Sequence, residues 1–241
     1  MVRVVVAGRV VAAVASVALL GGAVIGCGSG ATGDGASSVA SDVQVRTSPI
    51  ADRLAKLPAA VDGDRVVVGR PDAPCTVQVM VDPKCGYCAK FEEAGGETLF
   101  KLADAGQVKV EYRLASFLDQ GGQSGSVRAV NALRASVDAG KFAEYHAAVF
   151  ASQPKGRFTD EVLLKIADAV PGLRGAEFDK AVKDQKYKEW VGEAEKGFEA
   201  TGAQGTPLVL ADGKPVGAKD GSMFDAKGFA ETLKAVGVGA S

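Results

Sequence analysis

The period of the hydrophobic positions changes several times along the chain, and each change marks an element. Val10 to Ile25 is an uncharged apolar run preceded by Arg3 and Arg9. Gly28 to about Ser48 has no apolar period and is rich in Gly, Ser, Ala and Thr, which predicts a flexible tether over 27–48. Ile50, Leu54 and Leu57 at helical spacing predict a short helix within 49–60. Arg65 to Gly69 reads as a strand, 69–74 as a turn, and the apolar run Thr76 to Val81 as a second strand. An amphipathic helix is expected from Ala89 to Ala105. Val108, Val110, Tyr112 and Leu114 alternate like a further strand.

Helical spacing then dominates about 125–201. Breaks are expected near Gly140, Pro154-Lys155-Gly156 and Pro171-Gly172, and Thr159-Asp160-Glu161 reads as a helix start. Strand character resumes at Pro207 to Leu210. Ala211-Asp212-Gly213-Lys214 is a hairpin turn, Pro215 to Gly217 a short strand, and Asp225 to Val236 a closing helix. The expected domain therefore spans 49–241.

Composition narrows the function. The 241 residues carry a net charge of −1, with no long basic stripe, so no nucleic-acid partner is expected. The single histidine, His146, excludes His-rich metal sites and disfavours a Ser-His-Asp hydrolase. Phe142, Tyr145 and Val149 flank it at helical spacing, which predicts a packing or partly exposed residue rather than a catalytic one. Val24-Ile25-Gly26-Cys27, directly after the apolar run, resembles the bacterial lipobox. That resemblance implies a signal peptide over 1–26, cleavage before Cys27, and a diacylglycerol anchor on its sulfur. An uncleaved anchor, or an ordinary signal peptide with a chance cysteine, are the alternatives. Each places the body outside the cytoplasm, where disulfides persist.

Cys85-Gly86-Tyr87-Cys88 carries the chemistry. A strand delivers it and a helix leaves it, the layout of a thioredoxin-like redox site. Unpaired N–H groups and the helix dipole favour negative charge in the first turn, so the first cysteine is expected as a thiolate. Half a zinc site is the competing reading, but only His146, Cys27 and Cys75 remain as partners. A structural disulfide is another. No metal and no cofactor are expected. Cys75, where the site strand begins, is expected as a small buried hydrophobe. Gly205-Thr206-Pro207 opens a strand. Proline there is either a tolerated strand start or a cis X-Pro bond setting the Thr206 backbone beside the cysteines.

From about Val66 to Val236 the chain resembles the DsbA family. The likeness rests on Pro71-Asp72-Ala73-Pro74, the Cys85–Cys88 motif, Phe91-Glu92-Glu93, Phe142 to Phe150, and Gly205-Thr206-Pro207. It implies an α/β thioredoxin-like fold with an inserted helical domain at about 125–201. By the same resemblance Cys85 is the exposed nucleophile and Cys88 the buried resolving thiol. Gly86 and Tyr87 tune the couple, and Thr206 and Pro207 line the substrate groove. Gly86 stands where many relatives carry proline, and no histidine lies between the cysteines. Relatives often hold a carboxylate in the site strand for the buried thiol's proton; Asp82 either fills that role here or caps the turn. The implied activity is thiol–disulfide exchange on exported cysteine-containing proteins, as oxidase, reductase or isomerase, with a membrane redox partner. A non-catalytic peptide-binding module is the reading from another class.

Overall fold

Seven residues, Cys75–Val81 (β3), form the middle of the sheet because both their faces are covered. Val77, Val79 and Val81 are fully buried, and Met80 on the opposite face is buried too. The computed structural model describes residues 43–239. The signal segment, Cys27 and the tether up to residue 42 lie outside the described residues.

Six strands make one sheet in the order β1-β2-β4-β3-β5-β6. They are Ala59–Asp62 (β1), Arg65–Val68 (β2), β3, Val108–Leu114 (β4), Leu208–Ala211 (β5) and Lys214–Pro215 (β6). Only β3 and β4 run parallel, and a parallel pair needs a crossover. That crossover is the site helix, Gly86–Phe91 (α2), a π turn Glu92–Gly96, and Glu97–Asp104 (α3). A four-residue helix, Ala51–Leu54 (α1), precedes the sheet.

Between β4 and β5 the chain makes five helices. They are Ser126–Asp138 (α4), Phe142–Ala151 (α5), Asp160–Ala167 (α6), Ala176–Lys183 (α7) and Lys188–Ala200 (α8). Thr159 caps α6 by accepting the Val162 N–H, so the expected helix start is where the cap stands. Ala226–Ala235 (α9), capped by Asp225, closes the fold. Sheet and insert share one apolar core: Val79, Phe91, Tyr112 and Leu114 are continuous with Leu133, Phe142, Phe150 and Phe158. The fold is α/β and thioredoxin-like, with the helical insert packed on it.

Several expectations change. The tether does not run to residue 48, and the ordered fold begins before residue 49. Val43 is buried, and the Arg46 backbone N–H and C=O both bond the Ser152 hydroxyl, so this segment is strapped to α5. The helix within 49–60 is only α1, because Pro58 cannot continue it. Beyond Pro58 the chain enters β1, hairpinned to β2 through Gly63 at φ +58°, and the spacing of Leu57 to Asp62 did not announce it. The insert has a further break at 184–187. It lacks Gly and Pro and turns through Gln185 at φ +51°, held by the Tyr187 N–H bonding to Asn131 Oδ1 at 2.8 Å.

Candidate active site

Strand β3 ends by delivering Asp82-Pro83-Lys84, and the Cys85 N–H closes that turn on the Asp82 carbonyl at 3.0 Å. Cys85 then caps α2. Its backbone is extended (φ −75°, ψ 117°), and its Sγ accepts the Cys88 N–H at 3.4 Å. The sulfur therefore takes the place of a capping oxygen, at the positive end of the helix. Cys85 is half-buried and Cys88, one turn in, has no exposure. Both are free thiols.

The surroundings separate the two thiols. The Cys88 thiol, donating to Cys85, brings Cys85 down from the usual 9.0 to about 6; Thr206 and the backbone N–H groups of Cys88 and Tyr87 assist, against partial burial. Burial drives Cys88 the other way, far above a normal thiol, and the neighbouring Cys85 adds to it. The Thr206–Pro207 peptide is cis, and Thr206 O lies 3.4 Å from Cys85 Sγ. Thr206 Oγ1 is buried and makes no hydrogen bond at normal distance, which leaves its O–H to turn toward the neighbouring sulfurs. Its hydroxyl favours the charged form of both sulfurs. On the outer side Tyr87 is 68% exposed, its ring 6.1 Å from that of Phe224, and Lys90 Nζ stands 5.1 Å over the same Phe224 ring. Gly86 faces open space.

Asp82 is completely buried. Burial pushes its carboxyl up to about 6, opposed by Ser126 and by the Lys84 and Leu118 backbone N–H groups, while Cys85 adds to the rise. Oδ1 accepts from the Lys84 N–H at 2.8 Å and from Ser126 Oγ at 2.6 Å; Oδ2 accepts from the Leu118 N–H at 3.0 Å. The Asp82 backbone N–H in turn interacts with the Cys88 thiol. Asp82 thus caps its turn and also lies beside the thiol pair.

The insert is tied to the same loop. Lys84 Nζ donates to the Pro154 and Gly156 carbonyls, and Gln153 Nε2 donates to the Pro83 and Cys85 carbonyls at 2.7 and 3.2 Å. Cys85, Gly86, Tyr87, Cys88, Asp82, Thr206 and Pro207 all come together in this region, whereas Cys27 lies outside the described residues. Ser126, Lys84, Gln153 and Leu118 escaped sequence reasoning. Ser126, Gln153 and Leu118 reach the site from distant segments, so their only signal is spatial, whereas Lys84 stands next to Cys85 and its partners alone are distant.

One further expectation is corrected. Cys75, the first residue of β3, is half-buried rather than buried, with Sγ 3.8 Å from the Gly237 carbonyl. His146 has no exposure. Its Nε2 lies 3.1 Å from Glu92 Oε1, whose other oxygen accepts from Tyr112 OH at 3.4 Å. Four rings, of Phe100, Tyr112, Phe142 and Phe150, enclose it. Among the described residues no group of His, Cys, Asp or Glu is arranged to hold a metal.

A helix-capping thiol above a buried thiol, beside a cis-proline loop, on this sheet order defines a class. Residues 61–228 match the thioredoxin family, and the chain belongs to it. Among solved structures its fold is DsbA-like. It is similar to MdbA, a thiol-disulfide oxidoreductase from Corynebacterium matruchotii (22% identity, 69% of this chain and 92% of that one, TM-score 0.58). It is similar to oxidised BdbD from Bacillus subtilis (20%, 74% and 96%, 0.57) and to Chlamydia trachomatis DsbA (20%, 70% and 88%, 0.54). A stretch of 31 residues is 84% identical to a hydroxyurea phosphotransferase from Kitasatospora aureofaciens. It spans 13% of this chain and only 9% of that relative's length.

Proposed function

We propose that the protein is a thiol–disulfide oxidoreductase that uses Cys85 and Cys88 as its redox couple and donates its disulfide to exported proteins. A substrate thiolate attacks the Cys85 sulfur, and the Cys88 sulfur leaves and takes up a proton. A second substrate thiolate then displaces Cys85 from the mixed disulfide. Two electrons pass from the substrate dithiol to the pair, which a membrane redox partner reoxidises. Asp82 supplies and collects the proton at the buried thiol. Thr206 and Pro207 line the groove, and Gly86 and Tyr87 tune the couple.

The observation that carries this reading is the opposed tuning of the two thiols, with Cys85 lowered to about 6 and Cys88 raised. Stabilising the thiolate stabilises the reduced pair, which favours the oxidase direction over reduction or isomerisation. It also argues against a purely binding module, which needs no such asymmetry. The expected reduction potential is about −130 to −220 mV, on the oxidising side of thioredoxin. Glutathione equilibration of the purified protein measures it. Cys88→Ala should accumulate long-lived mixed disulfides through Cys85, while Cys85→Ser should abolish turnover and trapping, and Cys75→Ser should leave both in place. Substrate found on Cys88, or turnover without Cys85, would overturn the mechanism.

A further inference from the structure

Asp82 is sealed from water, yet the function proposed above requires it to exchange a proton in each turnover. One string of hydroxyls leads outward from it. Ser126 Oγ, with no exposure of its own, donates to Asp82 Oδ1 at 2.6 Å. Ser126 Oγ and Ser124 Oγ are 3.1 Å apart, and either can donate. Ser124, half-buried, donates to Asp119 Oδ1 at 3.4 Å.

The loop carrying these hydroxyls is rigidly built. Gly125, between the serines, has φ +77°, and a Cβ there would stand 2.1 Å from the Phe158 carbonyl. Phe158 N–H donates to the Ser124 carbonyl at 2.9 Å. The Asp119 carboxylate accepts the Gly125 N–H at 2.8 Å and the Val127 N–H at 3.3 Å. Such anchoring holds two rotatable hydroxyls in line between a buried carboxyl and the surface.

We propose that Ser126 and Ser124 form a proton path that joins Asp82 to solvent. The inference rests on the functional reading above and deepens it. In uptake, the Asp82 carboxylate takes the Ser126 hydroxyl proton, Ser126 Oγ takes that of Ser124, and water refills Ser124 at its half-exposed end. Release runs the same bonds in reverse. No electrons move, and each hydroxyl ends with one proton, because a serine both donates and accepts. The other groups acting on the Asp82 carboxyl are the Cys85 thiol at the α2 N-cap and the Lys84 and Leu118 backbone N–H groups, while the Cys88 thiol of α2 meets the Asp82 backbone N–H. The Lys84 ammonium is engaged on the Pro154 and Gly156 carbonyls, and Asp119, itself buried, accepts from Ser124 beside the path, which meets solvent at Ser124. Ser124 and Ser126 act through Asp82.

Ser124 decides the matter, since it does not touch Asp82, whose three donors remain when it is changed. Stopped-flow reduction of the oxidised full-length protein by a small dithiol is compared in water and in deuterium oxide. Ser124→Ala is expected to slow the step at least about threefold, with an enlarged solvent isotope effect, as for loss of a positioned proton carrier. Added imidazole buffer should restore the rate, and Ser124→Thr should keep it. The equilibrium potential and the Cys85 titration should not move. A variant as fast as the wild type overturns the path and leaves the functional reading intact. So does a slowed variant that ignores buffer and keeps the wild-type isotope effect. A wild-type protein without dithiol turnover removes the functional reading and the path together.

Discussion

At Asp82 a buried charge is met by three hydrogen-bond donors rather than by a cation. They do not fully offset burial, since its folded pKa is raised to about 6. The folded state therefore holds this proton more tightly than the unfolded chain does. The stabilising effect is fully present below about pH 4, the unfolded value, and is lost as pH rises through about 6. Asp82→Asn removes that loss, so its stability relative to wild type should improve from pH 4 to pH 7.5 by about 2 kcal/mol. Urea midpoints of the reduced proteins at both pH values check it; a difference that stays flat would contradict the raised pKa. Cys85 has the opposite sign: its lowered pKa gives the reduced form stability above the usual thiol range that fades as pH falls through about 6. At this scale much was legible. Two cysteines three apart between an apolar run and an amphipathic one point to their own chemistry. Ser126 was not legible, since it meets Asp82 across 44 positions and serine is too common to signal a partner.

Among the elements, the site helix departs furthest from its hydrophobic period. Spacing from Ala89 to Ala105 suggests one continuous amphipathic helix, and the structure inserts the π turn Glu92–Gly96. A π turn shifts the face on which later residues emerge, and it is usually kept by local packing. The reason here is Gly95-Gly96. A Cβ on Gly96 would stand 2.1 Å from Glu92 Oε2, and one on Gly95 would stand 2.6 Å from the Met223 carbonyl. The missing side chains let the buried Glu92 fold back toward His146. Gly96→Ala is expected to cost about 1–3 kcal/mol, as overpacking does, despite alanine's better helix propensity. Denaturant unfolding reads it, and a more stable variant would show that the glycine is there for another reason. Strands β2, β3, β4 and β5 and the capped helices α6 and α9 were visible in periodicity and cap residues. Strand β1 was not, because a four-residue edge strand has too few positions to alternate convincingly.

For the molecule as a whole, the insert and the sheet act as one body around the site. Lys84 and Gln153 link the loop after α5 to the Cys85 turn, and the Arg46 backbone is bonded to Ser152 at the end of α5. No helix among the described residues is long and apolar enough to cross a membrane. If Cys27 carries the anchor, Cys27→Ala should change precursor mass and move the protein from membrane to soluble fractions, or leave it unprocessed. Unchanged mass and fractionation would refute lipidation.

The way Cys85 is stabilised has a consequence for the conditions under which the protein works. Its pKa is lowered first by the Cys88 thiol and then by Thr206 and two backbone N–H groups, all of them its immediate neighbours rather than distant charges. Dissolved ions weaken attractions between separated charges over a Debye length of about 10 Å at 0.1 M, and they do not enter contacts this short. Raising the ionic strength should therefore leave the Cys85 titration almost where it was. A redox couple built this way keeps its poise as salinity changes, and ultraviolet thiolate absorbance recorded at low and high salt would register a drift if it did not.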